Sequence, residues 1–243
     1  MKNNIPVKND LFDYLDRYIF QIPSFFKFSV DSILLAEYVE VFKRTKNILD
    51  LCTGNAPIPL ILSKYTSASI TCFEIQEVVA KLAEESIKVN NLENQITLIN
   101  DDIKNINKYF KPETFDIIVC NPPYFEFTND KSLNKVSELS IARHEIKINL
   151  EDIFKIVKDN LKSNGTFYMI HRPNRLDEII NYATKYNVFV KEIQFILTNP
   201  LKEASLVIVK CVKNSNKGLK IKKNVDISNL TTYQGMFRKE VNQ

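Results

Sequence analysis

Residues 47–75 read NILDLCTGNAPIPLILSKYTSASITCFEI, and the order of signals in them decides the fold. Asn47 to Cys52 is an apolar run, too short for a helix, that breaks into the turn Thr53-Gly54-Asn55. Pro57 and Pro59 follow. Proline is tolerated in the first turn of a helix, where its missing N–H would have no partner anyway, so a helix is predicted from about Ala56 to Tyr65. Ser69 to Ile75 is again apolar and strand-like. Strand, helix, strand is a βαβ unit, which requires a parallel sheet.

The alternation continues in both directions. Upstream, Val30 to Val41 carries Ile33, Leu34, Val39 and Val41 at amphipathic-helix spacing. Downstream, Gln76–Asn90 reads as helix, Gln95–Asn100 as strand, and Phe115–Cys120 as a buried strand that stops at Asn121-Pro122-Pro123-Tyr124. Glu126 to Lys147 is polar and reads as a loop with some helix. Leu150–Leu161 is a predicted helix, Asn164-Gly165 a turn, Thr166–Ile170 a strand and Asn174–Tyr186 a helix. Phe189–Leu197 and Ala204–Val212 are strands with no helix between them, so the sheet should finish in an antiparallel hairpin. Parallel strands ending in such a hairpin resemble the Rossmann-like, seven-stranded class I methyltransferase fold.

The totals set bounds. A chain of 243 residues fits one α/β domain. We expect an extension and helix over 1–45, a catalytic core over 46–212 and a basic tail over 213–243. Hydrophobic residues at 44% and charged ones at 26% describe an ordinary globular chain. The net charge of +4 permits a nucleic-acid partner without requiring one. Lys213, Lys217, Lys220, Lys222 and Lys223 form a basic stretch, read either as solvated surface or as an RNA-facing strip. Cys52, Cys72, Cys120 and Cys211 lack CxxC spacing and read as small hydrophobes rather than metal ligands or disulfides; no metal is expected. The start MKNNIPVKND has no apolar signal core, and no segment reaches the roughly 18 apolar residues of a membrane span, so the cytoplasm is the expected compartment.

Open α/β sheets bind ligands at the C-terminal ends of their strands. Three consecutive ends here carry acids. Asp50, in Asp50-Leu51-Cys52-Thr53-Gly54-Asn55, would attract the sulfonium and amino group of S-adenosylmethionine. Gly54 lets the backbone approach a ligand. Glu74, at the next end, would accept from ribose hydroxyls. Asp102, in Asn100-Asp101-Asp102-Ile103, would accept from an adenine amino group while Ile103 packs on the ring. The cofactor-binding set is thus Asp50, Cys52, Gly54, Glu74, Ile75, Asp102, Ile103 and Asn121. A dinucleotide is disfavoured, because no later glycine completes the pyrophosphate fingerprint after Gly54.

Asn121-Pro122-Pro123-Tyr124 carries the chemistry. An exocyclic amine of adenine is a poor nucleophile because its lone pair is delocalised into the ring. The Asn121 side-chain oxygen and the Pro122 carbonyl can each accept one of its N–H bonds, favouring a pyramidal nitrogen. Tyr124 can stack on the flipped-out base, beside Pro123. A proline-rich turn or a partner-bound polyproline segment is the plain alternative. Asn121, Pro122 and Tyr124 are the catalytic candidates.

On these residues the chain resembles the bacterial valine-tRNA adenosine-N6 methyltransferases. Phe28 to Ala36 is similar to that family's helix before the first strand, and Asp50–Gly54 with Ile58-Pro59-Leu60 to its first cofactor motif. Ala142-Arg143-His144-Glu145, Arg172-Pro173-Asn174-Arg175-Leu176 and Glu203-Ala204-Ser205 are similar to further family segments. The family usually carries a second glycine where this chain has Ala56, followed by Pro57. The resemblance implies transfer of a methyl group from S-adenosylmethionine to the adenine N6 at position 37 of tRNA(Val), by a monomer bound to the anticodon stem-loop. Arg143, Arg172 and Arg175 are candidates for RNA backbone contact, with local salt bridges or turn-holding as the alternative; His144 and His171 read as structural. Protein-glutamine N5 methylation, RNA guanine-N2 methylation and DNA adenine-N6 methylation use the same four-residue motif. Glutamine methylation is disfavoured, because such enzymes usually carry an N-terminal helical domain.

Overall fold

A computed structural model describes residues 5–12, 14–23, 30–123 and 148–238. In chain order its strands are β1 (Val7–Leu11), β2 (Tyr14–Gln21), β3 (Asn47–Asp50), β4 (Ser69–Phe73), β5 (Ile96–Ile99), β6 (Phe115–Cys120), β7 (Leu161–His171), β8 (Val188–Leu197), β9 (Leu206–Lys213), β10 (Lys220–Ile221) and β11 (Val225–Asp226). The helices are α1 (Val30–Tyr38), α2 (Pro57–Leu62), α3 (Glu77–Val89), α4 (Leu150–Asn160) and α5 (Leu176–Lys185). Short 3-10 turns occupy Ile103–Lys108 and Pro173–Arg175.

The main sheet runs β5-β4-β3-β6-β7-β9-β8. All neighbours are parallel except β9, which is antiparallel to both β7 and β8, so the expected terminal hairpin is present. The strands are near-continuous apolar runs because both sheet faces are covered. Successive residues point to opposite sides. Ile48, Ile117, Val119, Tyr168 and Ile170 join a core with α1, α2 and α3. Leu49, Ile118, Cys120, Phe167 and Met169 join a second core with α4 and α5. Cys72, Cys120 and Cys211 are buried and Cys52 is half-buried, all with free thiols.

The structure corrects several expectations. Seven strands become nine in the main sheet, because β10 and β11 add in parallel to the outer edge of β8. They lie in the stretch expected to be a basic tail, and they cover an edge that would otherwise expose unpaired N–H and C=O groups. Lys213 is not solvated surface. It is buried, 2.8 Å from the Glu113 carboxylate, and it donates to the Leu161 carbonyl at 2.7 Å. Asn164-Gly165 does not separate a helix from a strand. Asn164 takes a positive φ of 60° inside β7, where the register against β6 slips between Phe115 and Ile117. The α2 helix starts at Pro57 rather than Ala56, whose φ of 71° is left-handed. α1 ends at Tyr38, three residues before Val41.

The largest omission is the β1–β2 hairpin. Its strand alternation is blurred, since the two faces of Tyr14–Gln21 each mix polar and apolar residues. It is held by α3: Asn90 Oδ1 and Ser86 Oγ accept the backbone N–H groups of Tyr18 and Phe20, both at 2.9 Å. Among the described residues, no helix is long and apolar enough to cross a membrane, and no group of three or more His, Cys, Asp and Glu is placed to hold a metal ion.

Candidate active site

From β3 the chain proceeds to β4 on one side, while β6 pairs on the other, which makes the β3–β6 boundary the switch point of the sheet. Asp50 ends β3 and Asn121 follows the last residue of β6. In the ladder Asp50 stands opposite Val119 on one side and Cys72 on the other. Asn121 and Glu74 therefore each lie two residues beyond a partner of Asp50, at the same edge. Asp50, Glu74 and Asn121 thus stand at three neighbouring strand ends, and Asp102 follows β5.

Asp50 is fully buried, and neither carboxylate oxygen has a hydrogen-bond partner. Burial pushes its pKa up to about 7, the proximity of Thr53 and the Cys52 amide opposes the shift without a bond of good geometry, and the charge on Glu74 adds to it. Thr53 Oγ is also buried without a partner. Buried polar atoms are normally bonded, so two such groups three residues apart mark a place for a polar ligand.

Glu74 is held differently. Its two oxygens accept from the backbone N–H groups of Gly54 at 3.0 Å and Gln76 at 2.9 Å. Burial raises its pKa, and these bonds work against the rise. A carboxylate has about four acceptor positions, so capacity for hydroxyl donors remains. Gly54 adopts φ 58°, and nothing lies within 4 Å of where its Cβ would be. Glycine is favoured there by backbone conformation, not by crowding.

At the end of β5 the adjacent acids diverge. Asp101 is committed to its own loop, accepting from Asn105 Nδ2, the Tyr109 hydroxyl and the Asp102 N–H. Asp102 caps the following turn by accepting from the Lys104 N–H at 2.9 Å. Ile103 is buried in the second core, whereas Ile75 is 39% exposed at the edge.

Pro122 is buried and Pro123 half-buried. Asn121 is half-buried, with Nδ2 donating to Ser32 Oγ on α1 at 2.9 Å. Tyr124, Arg143 and His144 lie outside the described residues. His171, at the end of β7, is buried; its Nδ1 accepts from the Arg172 N–H, and burial, then the Arg175 charge, depresses its pKa to about 4. Arg172 is exposed and donates to the Ser205 carbonyl at 3.1 Å. Arg175 makes a two-pronged contact with Glu178. Both arginines thus make contacts with nearby structure beyond the end of β7.

Four residues at the site were not singled out from sequence: Ser32, Thr53, Asn55 and Asn100. Asn100 Nδ2 donates to the Glu74 carbonyl at 2.7 Å and clamps the ends of β4 and β5 together. Asn55 Nδ2 donates to the Phe20 carbonyl at 2.9 Å and ties the glycine turn to the hairpin. The only signal of Thr53, Asn55 and Asn100 in sequence was a polar side chain beside a strand end, which most loops share, whereas Ser32 lies within α1.

A family model described as "Methyltransferase small domain" matches residues 25–197. A tRNA1(Val) (adenine(37)-N6)-methyltransferase of Bacteroides thetaiotaomicron is 30% identical over 176 residues, which cover 72% of this chain and 71% of that protein. A protein of the same description from Haemophilus influenzae is 40% identical over 102 residues, 41% of this chain and 43% of its own. Among solved structures, a predicted O-methyltransferase of Agrobacterium tumefaciens superposes with a TM-score of 0.63 at 21% identity, covering 81% of this chain and 86% of its own. TYW2 of M. jannaschii in complex with AdoMet gives 0.58 at 11% identity, with 87% of each chain covered. These two likenesses establish the fold.

Proposed function

The chain belongs to the methyltransferase small domain family, and on that premise we propose that it transfers a methyl group from S-adenosylmethionine to the exocyclic N6 of adenine 37, beside the anticodon of tRNA(Val). The observation that carries the reading is the Asn121-Pro122-Pro123 corner standing at a strand end next to the unpartnered, buried carboxylate of Asp50.

The residues fit the cofactor. Asp50 is a buried anion lacking a donor, and it suits a cationic amino group and sulfonium. Glu74 is pre-oriented by two backbone bonds to receive ribose hydroxyls. Asp102 would take the adenine amino group, Ile75 and Ile103 would lie on the side of its ring, and Cys52 and Gly54 on the methionine side. When bound, S-adenosylmethionine supplies an electrophilic methyl carbon on a positively charged sulfur.

Asn121 Oδ1 and the Pro122 carbonyl accept the two N–H bonds of the target amine. These bonds draw its lone pair out of conjugation and aim it, so positioning and electrostatics do the work. Pro122 and Pro123 fix the backbone that carries both acceptors. Tyr124 stacks on the extruded base, with Pro123 beside it. No strong base is required, because the proton leaves a nitrogen already made cationic. Arg143, Arg172 and Arg175 are the candidates for contact with the RNA backbone, and of the two described Arg172 is the exposed one. In this reading residues 46–212 form the catalytic core of one domain, acting as a monomer on cytoplasmic tRNA.

The test is incubation with labelled S-adenosylmethionine and bulk tRNA from a strain lacking the protein. New N6-methyladenosine in tRNA(Val) is expected. Label in a guanine, in DNA or in a protein glutamine instead would overturn the assignment.

A further inference from the structure

An asparagine carboxamide presents an acceptor at one end and donors at the other. Turning it by half a circle exchanges them with almost no change in shape. Sequence alone therefore cannot say which end of Asn121 faces the target amine, and packing alone cannot hold that choice. In this protein the donor end is taken: Nδ2 donates to Ser32 Oγ at 2.9 Å, a bond spanning 89 positions of sequence. A serine hydroxyl can accept as well as donate, so it holds the carboxamide in place whichever end it meets.

Ser32 is well built for this task. It is 6% exposed, so water competes poorly for its hydroxyl. The next four residues of α1, Ile33 to Ala36, are fully buried in the first core. One turn further on, Glu37 is bound by the Tyr14 and Tyr65 hydroxyls and the Gly235 N–H. The helix that carries Ser32 is thus immobilised on several sides. Precise placement of a reacting group depends on supporting side chains that are themselves locked.

We propose that Ser32 is a positioning residue of the methyl-transfer site: through its bond to Asn121 it holds the carboxamide fixed at the end of β6, beside the place of the substrate amine. The inference rests on the proposed amine-methylating function. Ser32 acts through Asn121 and not on substrate or cofactor directly. Its loss should lower turnover while leaving the binding of both intact.

The experiment compares Ser32→Ala, Ser32→Val and Ser32→Thr with the natural protein on tRNA. Steady-state kinetics, S-adenosylmethionine affinity by calorimetry and thermal stability are measured well below each variant's unfolding temperature. Threonine and valine have nearly the same shape and differ in the hydroxyl. The Ala and Val variants should lose about ten-fold in kcat, as expected for one lost orienting hydrogen bond, with KM for tRNA and cofactor affinity retained. The Thr variant should stay near the natural rate. Turnover unchanged in Ala and Val, an equal loss in Thr and Val, or a loss confined to KM or cofactor affinity would each overturn the proposal. Failure of the functional reading is separate, since it appears as missing N6-methyladenosine with the natural protein. The variant ratio is then read on whichever amine that protein methylates.

Discussion

Both oxygens of Asp50 are buried without a donor, and its pKa stands near 7. An unfolded aspartate titrates near 3.9. Between those values the folded protein holds the extra proton, so the contribution of Asp50 to stability is full below about pH 4 and is lost as pH rises through 7. A cationic ligand reverses the preference, because it binds the ionised form. Cofactor affinity should therefore fall about ten-fold per unit as pH drops below 7, with proton release on binding at neutral pH. Asp50→Asn separates the two effects: above pH 7 it should unfold at a higher temperature than the natural protein and bind S-adenosylmethionine far more weakly. Calorimetry in buffers of different ionisation heat and melting curves across pH check both; unchanged affinity would remove Asp50 from the cofactor site.

At the level of elements, two connections stand out. Ala56 precedes α2 in a left-handed conformation that costs an alanine roughly 1–2 kcal/mol. Glycine avoids that cost but loses roughly 0.5–1 kcal/mol to backbone entropy. Ala56→Gly should therefore stabilise the protein by up to about 1 kcal/mol in urea unfolding. A clear loss would mean that packing of the buried Ala56 methyl outweighs the strain. The hairpin depends on α3 for its backbone partners. Asn90 both accepts from the Tyr18 N–H and donates to the Tyr18 carbonyl at 2.7 Å. Asn90→Ala should cost about 1–3 kcal/mol, the range for leaving partly buried polar groups unpaired. Faster proteolysis near residues 12–14 would accompany the loss, whereas unchanged stability would show the hairpin held by apolar contacts alone.

Across the whole molecule, Glu37 is the meeting point of distant segments. Its carboxylate is fully buried on α1 and receives Tyr14 from the hairpin, Tyr65 after α2, and Gly235 and Arg238 from the tail. Arg238 also lies 3.2 Å over the Tyr65 ring and donates to the Ala36 carbonyl. Removing one partner of a buried charged pair leaves the other uncompensated, typically at about 3–5 kcal/mol. Glu37→Ala should approach that loss in denaturant unfolding; a change under about 1 kcal/mol would show that the tail is only loosely attached. The same helix bears Ser32, so the hub that gathers both chain ends also steadies the orientation of Asn121.

The parallel sheet, its closing hairpin, the acids at three strand ends and the Asn-Pro-Pro corner were legible from residues 47–123 and 189–212, because apolar runs and turn residues report local geometry. The β1–β2 hairpin was not, since its mixed faces give no period and its hydrogen bonds come from α3. Nor were the buried Lys213, the strand pairing of the basic tail, or the roles of Ser32 and Asn100. Each of those depends on a partner far away in the chain, at Glu113, β8, Asn121 and Glu74. Local chemistry decides what a segment becomes, whereas the partner of a polar group is decided only when folding brings two remote segments within hydrogen-bond distance.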